Sequence, residues 1–373
     1  MLLRKIKKKY IIFLAVMLIV AISLGIYYFY PNQYILAMNK QVDWISSLQT
    51  LNGAIKDSKL PSSYEPLQYK ITPYYANIAA TAITYRNGKD EIVKKYIQWY
   101  LSHLNWPDKN EISGTKLYGT IYDYYVDASG KEISTNDYDS ADAYAATFLS
   151  LLRRYCEISG DVNIFKENEV KIEAIGKTII DLIDQDGLTF AKPNYQIKFL
   201  MDNCEVYKGL TDICYIYEYV FVNRQKATFY KQKAEIVRTA IVKNFLNEKD
   251  FFIYKDLNGY KKVDWSVWYP DSVSQIYPVV FGVVAATDFQ ASISYKTIGE
   301  KWDWANLKAS KDYPWVLMGY AGTMVNTDNL PKKFYINISS QYLKQENSDK
   351  WNSLESAWFI YFSHLLGTTK QRN

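Results

Sequence analysis

The chain has 373 residues, of which 49% are hydrophobic and 22% are charged, a composition that excludes an intrinsically disordered protein. Its net charge of +5 equals the charge of five basic residues near the N-terminus, namely Arg4, Lys5, Lys7, Lys8 and Lys9. Because the remainder is formally neutral, we expect no nucleic-acid-binding surface.

The first predicted element is a membrane-spanning segment. Residues 10–30 carry no charge and approach the ~20 apolar residues that cross a bilayer as a helix. The basic tail, residues 1–9, is expected to stay in the cytoplasm, which places everything after the linker at 31–37 outside the cell membrane. A cleaved signal peptide is the alternative, with secretion as its outcome. The aromatic residues at 26–30 favour an uncleaved anchor because they suit the membrane interface.

Residues 38–368 predict alternating outer and inner helices. Amphipathic segments, which suit a solvent-facing outer position, lie at 34–51, 89–104, 163–184, 224–246, 289–302 and 330–344. More uniformly apolar or small-residue segments, which suit a buried inner position, lie at 74–85, 143–152, 210–222, 276–286, 315–325 and 356–366. No alternating strand pattern is long enough to build a sheet.

Twelve such helices form six hairpins and predict an all-α (α/α)6 barrel whose inner helices present their N-termini at one mouth. An open solenoid would show the same alternation, but the hairpins have no fixed period. We expect the loops at 105–136 and 186–200 to shape the mouth. Residues 369–373 form a short tail.

An acidic residue set among aromatic residues precedes or opens each predicted inner helix. These six entrances are residues 64–66, 137–142, 202–207, 268–272, 312–315 and 354–358. Helix capping explains a single acid such as Asp312 or Asp137. It does not explain several acids at one entrance, or the accompanying rings. Carbohydrate hydrolysis requires both, because carboxyl groups protonate the leaving oxygen and activate water while rings stack on the sugar.

The segment at 127–146, Asp-Ala-Ser-Gly-Lys-Glu-Ile-Ser-Thr-Asn-Asp-Tyr-Asp-Ser-Ala-Asp-Ala-Tyr-Ala-Ala, resembles a known family. It is similar to the glycine-bearing loop, Asp-x-Asp and small-residue helix of the family 8 glycoside hydrolases, which are six-hairpin glycosidases. The resemblance implies cleavage of a polysaccharide with inversion and without a cofactor. It also implies an early catalytic acid, for which Glu65 has a comparable position although the family's Ser-Glu-Gly is absent, and a downstream base, Asp271. Asp139 is the rival base.

The residues themselves offer a second candidate for the acid. Glu205 lies near Asp202 and an aromatic wall, where desolvation and like charge would favour its protonated form. An inverting pair of carboxyl groups would be about 6.5–9.5 Å apart, against about 5–5.5 Å for a retaining pair. The predicted substrate contacts are Asp142, Tyr138, Asp202, Tyr207, Trp268, Tyr269, Trp315, Glu355 and Trp358.

Other chemistries have little support. The two histidines, His103 and His364, lie in helical segments and are expected to be structural, and no metal site is predicted. The three cysteines are expected to be small buried hydrophobes without a disulfide framework; they are Cys156, Cys204 and Cys214. No glycine-rich phosphate loop is present, and residues 184–187 read as a turn rather than a calcium loop.

Two alternative functions remain open at this point. A glycan-binding or polysaccharide-assembly protein on the same barrel would explain the missing Ser-Glu-Gly, and a polysaccharide lyase is the third possibility. The expected partners are a polysaccharide and, through residues 10–30, the lipid bilayer. Protein partners cannot be named from the sequence.

Overall fold

The computed structural model describes residues 17, 32–63, 65, 67–105, 118–343 and 348–369. The predicted basic tail, the predicted anchor apart from Met17, and residues 370–373 lie outside these ranges. Within them, no helix is both long and apolar enough to cross a membrane.

The described chain is built mainly from helices. In order they are α1 (Gln33–Ser46), α2 (Pro73–Ile83), α3 (Asp90–His103), α4 (Ala141–Ser159), α5 (Val162–Glu167), α6 (Glu169–Leu182), α7 (Leu200–Tyr219), α8 (Arg224–Ala240), α9 (Tyr277–Val280), α10 (Phe289–Lys301), α11 (Leu317–Val325), α12 (Leu330–Gln341) and α13 (Ser353–Thr369). A π-helical turn, Ile241–Phe245, extends α8, another lies at Trp268–Ser272, and a 3₁₀ turn lies at Trp304–Asn306.

Six of these helices form a closed inner ring. Helix α2 packs against α4, α4 against α7, α7 against α9, α9 against α11, α11 against α13, and α13 against α2. The burial patterns agree with this arrangement: every residue of α4 from Ala141 to Leu149 is buried, whereas α8 buries a residue only every three or four positions. The predicted alternation of outer and inner helices is therefore confirmed.

Small residues let the inner helices that carry the site approach closely. A Cβ atom added to Gly209 of α7 would lie 2.5 Å from the Cα atom of Ala146 on α4. No side chain larger than hydrogen fits at position 209 without moving a helix, so the α4–α7 spacing depends on this glycine.

Hydrogen bonds between the two ends of the described chain close the ring. The Gln41 side chain on α1 accepts from Trp351 Nε1 at 3.1 Å and from Ser356 Oγ at 2.8 Å. The backbone N–H of Ser353, the first residue of α13, donates to the carbonyl of Asp57 at 2.7 Å. Helix α13 is thereby fixed against α1 and against the segment that leads into α2.

The helix boundaries differ from expectation at three inner positions. Helix α4 continues to Ser159 instead of ending near residue 152. Helix α9 is a single turn instead of the predicted 276–286, and the chain leaves the helix at Gly282, whose φ of +76° suits glycine. Helix α7 begins at Leu200 rather than near residue 210.

The expectation that the chain contains no sheet is wrong. Three antiparallel strands form a sheet in the order β1 (Gln68–Ile71), β2 (Tyr124–Asp127), β3 (Glu132–Ser134). The remaining strands are β4 (Lys198–Phe199), β5 (Leu246–Asn247), β6 (Asp250–Phe251), β7 (Tyr254–Asp256) and β8 (Gly259–Lys261), paired as β4-β7-β8 and β5-β6. Strands of two to four residues are too short to show a period of two in the sequence.

Candidate active site

A cavity of about 900 Å³ opens where the N-terminal ends of the inner helices meet. Each inner helix contributes lining residues from its first turns or from the residues just before it: Tyr74 and Tyr75 for α2, Ser140 and Ala143 for α4, Asp202 and Glu205 for α7, Tyr277 for α9, Trp315 for α11, and Asn352 and Leu354 for α13. Five of the six predicted entrances contribute lining residues; the entrance at 64–66 contributes none from its one described residue, Glu65.

The deepest acids lie at the starts of α4 and α7. Ser140 caps α4 by accepting from the N–H of Ala143, and its Oγ donates to Asp142 Oδ1 at 2.6 Å. The same Oγ is 3.3 Å from Asp202 Oδ2. Thr189 Oγ1 donates to the other oxygen of Asp142 at 2.6 Å. Asp142 of α4 and Asp202 of α7 thus both lie within hydrogen-bond distance of the Ser140 hydroxyl group.

These acids retain their protons to higher pH than ordinary carboxyl groups. Burial raises the pKa of Asp142 to about 6. Burial, together with the charges of Asp142, Glu205 and Asp139, raises the pKa of Asp202 well above its usual value. Burial also raises the pKa of Glu205 well above its usual value, although a hydrogen bond from Tyr74 opposes the shift. Glu205 therefore holds its proton to higher pH than an ordinary glutamate, as a proton donor must.

Residues from three inner helices hold Glu205 in position. The side chain is 2% exposed and accepts from the Tyr74 hydroxyl on α2, with 2.5 Å between Glu205 Oε1 and that oxygen. Tyr277 on α9 hydrogen-bonds to Tyr74 in turn. This arrangement fixes the direction in which the carboxyl group faces the cavity.

Asp139 occupies a different environment on the same cavity. It is exposed and lies just before the Ser140 cap, whereas Glu205 is buried one turn into α7. Two carboxyl groups in such contrasting surroundings are typical of an acid and base pair.

A second group of acids lies beside the β1-β2-β3 sheet. Asp57 accepts from the N–H and the hydroxyl of Thr72, at 2.8 and 2.7 Å, and burial raises its pKa to about 7. Asp123 accepts from the Tyr144 hydroxyl at 2.9 Å and lies 3.1 Å from Lys70 Nζ. Neither acid is predicted from the sequence, because neither adjoins a predicted inner helix.

Several predicted site residues do line the cavity. They are Tyr138, Asp139, Asp202, Glu205, Tyr269 and Trp315. The rings of Tyr269 and Trp315 lie 4.8 Å apart, and Tyr269 is 53% exposed. Together they present apolar ring faces at the rim.

The predicted catalytic residues Glu65 and Asp271 are not among the lining residues. Glu65 is exposed to solvent. Asp271 is buried and accepts from the backbone N–H of Asp264 at 2.7 Å, which gives it a structural role in its loop.

Some predicted substrate contacts also lie behind the cavity wall or away from it. Asp142 is buried beneath Ser140, and Glu355 is buried and accepts from the N–H of Val316 at 2.7 Å. The Trp268 ring packs against Trp302 and Trp315, and the Trp358 ring packs against Phe281 and Tyr320. Tyr207 does not line the cavity either. Most of these residues support the wall rather than reach a ligand.

The histidines and cysteines do not line the cavity. His103 stacks on Trp99 and contacts Glu132 at 2.8 Å, and His364 packs against Tyr85. The three cysteines are free thiols. Across the described ranges, no group of three or more His, Cys, Asp or Glu side chains is arranged to hold a metal ion.

The raised pKa of Glu205 predicts a pH-dependent stability. Between its ordinary pKa and its folded value, the folded state binds more protons than the unfolded state, so the free energy of unfolding falls as pH rises. We expect Glu205→Gln to gain stability relative to the wild type as the pH rises from 4 to 8, because the amide has no proton to lose. Urea denaturation at both pH values measures this change.

Glu218→Gln is the matched control, because Glu218 is exposed at the far end of the same helix. The same pH dependence in the wild type and in Glu205→Gln would show that Glu205 is ionised in the folded protein at neutral pH.

No protein-family model matches the sequence, and no curated protein matches it. Solved structures do. The chain is similar to a glycosidase in complex with glucose, with a TM-score of 0.64 at 12% identity over 89% of this chain and 96% of that chain. The chain is also similar to a bacterial glucoamylase complexed with acarbose, with a TM-score of 0.63 at 13% identity over 90% of this chain and 56% of that chain. A rhamnosidase from Klebsiella oxytoca with rhamnose bound matches with a TM-score of 0.58 at 12% identity, over 89% of this chain and 64% of that chain.

At these identities the likeness establishes the fold. The predicted six-hairpin (α/α)6 barrel is confirmed, and the chain has a fold that these glycosidases share.

Proposed function

We propose that this protein is a glycoside hydrolase in which Glu205 donates the proton and Asp139 acts as the base. The observation that carries the proposal is the contrast between a buried Glu205 with a raised pKa and an exposed Asp139, both on one cavity. The glycosidases with the same fold add support.

The proposed reaction follows from these two environments. Glu205 gives its proton to the glycosidic oxygen as the bond from that oxygen to the anomeric carbon breaks. Asp139 takes a proton from water as the water oxygen bonds to the anomeric carbon. Tyr74 holds the Glu205 carboxyl group and stabilises the carboxylate that forms, because its hydroxyl already donates to Glu205.

A polysaccharide is the proposed substrate. The cavity of about 900 Å³ lies at the upper end of the ~300–1,000 Å³ typical of ligand sites, which suits several sugar units rather than one. Tyr269 and Trp315 offer ring faces at the rim, and rings of this kind suit the apolar faces of sugars.

Replacement of either carboxyl group tests the proposed mechanism. We expect Glu205→Gln and Asp139→Asn each to lower kcat by about 10²–10⁴-fold, the usual contribution of general acid or base catalysis. The measurement is release of reducing ends from extracellular polysaccharides by the full chain, after a screen identifies a substrate.

Two further variants make this test specific. Glu218→Gln should leave kcat unchanged, and Glu65→Gln distinguishes the present acid from the one that the sequence suggested. Undiminished turnover in Glu205→Gln would refute the assignment. Glycan binding by the wild type without any turnover would instead favour a binding or assembly protein.

We expect the reaction to invert the anomeric carbon. The basis is the resemblance to family 8 and a base that is free to activate water. Proton NMR of the first products, recorded before mutarotation, should show the opposite anomer to the substrate. Retained configuration would mean that a carboxylate attacks the sugar directly.

Membrane anchoring is part of the proposal. Its support is the basic cluster followed by the uncharged apolar run at 10–30. The full chain should stay with membranes after an alkaline carbonate wash, and protease added outside intact cells should degrade the barrel. Recovery of the protein in the culture medium, without residues 10–30, would indicate a cleaved signal peptide.

A further inference from the structure

Helix α1 begins at the end of the barrel that is farthest from the cavity. The Asn32 side chain caps α1, and its Nδ2 donates to the carbonyl of Gly367 at 3.1 Å. Gly367 is buried near the end of α13, where an added Cβ atom would lie 2.9 Å from Ile35 of α1. Helix α13 starts beside Asn352 and Leu354, which line the cavity. At about 1.5 Å per residue, α13 therefore places Asn32 about 20 Å from these lining residues.

This position determines which end of the barrel lies near the predicted anchor. Only Pro31 separates Asn32 from the apolar run at 10–30. Two residues of chain span at most about 7 Å. A membrane that holds the run at 10–30 must therefore lie close to the end of the barrel that carries Asn32 and Gly367. We call this end the anchor end; the cavity mouth is at the opposite end.

Exposed apolar side chains lie at the anchor end, on the far side of the inner ring from α13. Helix α7 is three places from α13 in that ring, and its last residue, Tyr219, is 63% exposed. Tyr219 lies about 20 Å along α7 from Glu205, at about 1.5 Å per residue. Val222 follows in the turn to α8 and is 75% exposed.

The backbone at Val222 does not favour the residue that occupies it. Its φ of +53° lies in the left-handed region, which β-branched residues rarely adopt. Glycine or asparagine is usual where a helix ends in this conformation. The turn alone therefore gives no reason for valine, whereas a contact that covers the apolar side chain does.

Exposed apolar side chains also occur at the mouth, so exposure alone does not select the end that faces the membrane. Leu257 is exposed in the turn between β7 and β8, and β7 pairs with β4, which leads directly into the mouth end of α7. Tyr195 is exposed three residues after Lys192 of the cavity lining. The position of Asn32 beside the predicted anchor distinguishes the two ends.

We infer that the anchor end contacts the lipid headgroups through Tyr219 and Val222, and that the mouth faces away from the membrane. The inference rests on the membrane anchoring proposed above. Tyrosine suits a membrane surface because it combines an apolar ring with a hydroxyl group. Exposed charges of both signs, Glu218 and Arg224, flank the contact, so it should not require anionic lipid. The cavity then takes glycan from the aqueous side, about 20 Å or more from the lipid.

Photocrosslinking in lipid vesicles tests this orientation. The full chain, with p-benzoylphenylalanine in place of Tyr219, is reconstituted into phosphatidylcholine vesicles, recovered by flotation and irradiated. The benzophenone ketone adds to C–H bonds that it touches, so we expect an adduct whose added mass is that of one phosphatidylcholine molecule. Addition of phosphatidylglycerol to the vesicles should not raise the total yield of lipid adducts.

Tyr195 provides the matched control, because the same replacement then removes an exposed tyrosine at the mouth. We expect no lipid adduct from position 195, and none from the same probe at Leu257. Circular dichroism of each variant should match that of the wild type, which shows that the barrel is folded. Lipid adducts from the mouth positions would overturn the inference, and so would a folded, floating chain without an adduct at position 219.

Failure of the proposed function is read separately. A chain that does not float with the vesicles would refute the anchor and the orientation together. A floating chain with a different adduct pattern would refute only the orientation. Neither result changes the turnover measured with Glu205→Gln, which decides the hydrolase.

Discussion

Closure of the inner ring is the constraint on which the site depends. The six helix entrances are distant in the sequence, and each carries at most a few of the polar groups that the cavity requires. They converge because α13 packs against both α1 and α2, with Gln41 receiving two hydrogen bonds from the region where α13 begins. The bond from Ser353 to Asp57 brings the last inner helix to the segment that leads into the first.

The closed ring holds carboxyl groups that oppose folding. Asp142, Asp202 and Glu205 are desolvated together, and each would repel the others if all were ionised. Hydroxyl groups from Ser140, Thr189 and Tyr74 offset part of this penalty without supplying charge. A core of ordinary apolar residues would avoid the penalty, so the arrangement is best explained by chemistry at the cavity.

Features that depend on local periodicity were predicted from the sequence. Features that depend on contacts between segments distant in the sequence were not. The alternation of amphipathic and apolar segments located the twelve barrel helices, and the entrances of α4 and α7 revealed Asp139, Asp202 and Glu205. Asp57 lies in Lys-Asp-Ser, which has no aromatic neighbour, and it reaches the cavity only through Thr72 and ring closure. Glu65 and Asp271 had suitable sequence neighbours, but one faces solvent and the other bonds within its own loop.

Because α9 has a single turn, local stability is not uniform around the inner ring. Five inner helices carry two or more turns of backbone hydrogen bonds, whereas α9 carries one and ends near Gly282. The free energy of local opening depends on such bonds and on buried contacts, so the arc that includes Tyr269 and Tyr277 should exchange its amide protons before the rest of the ring.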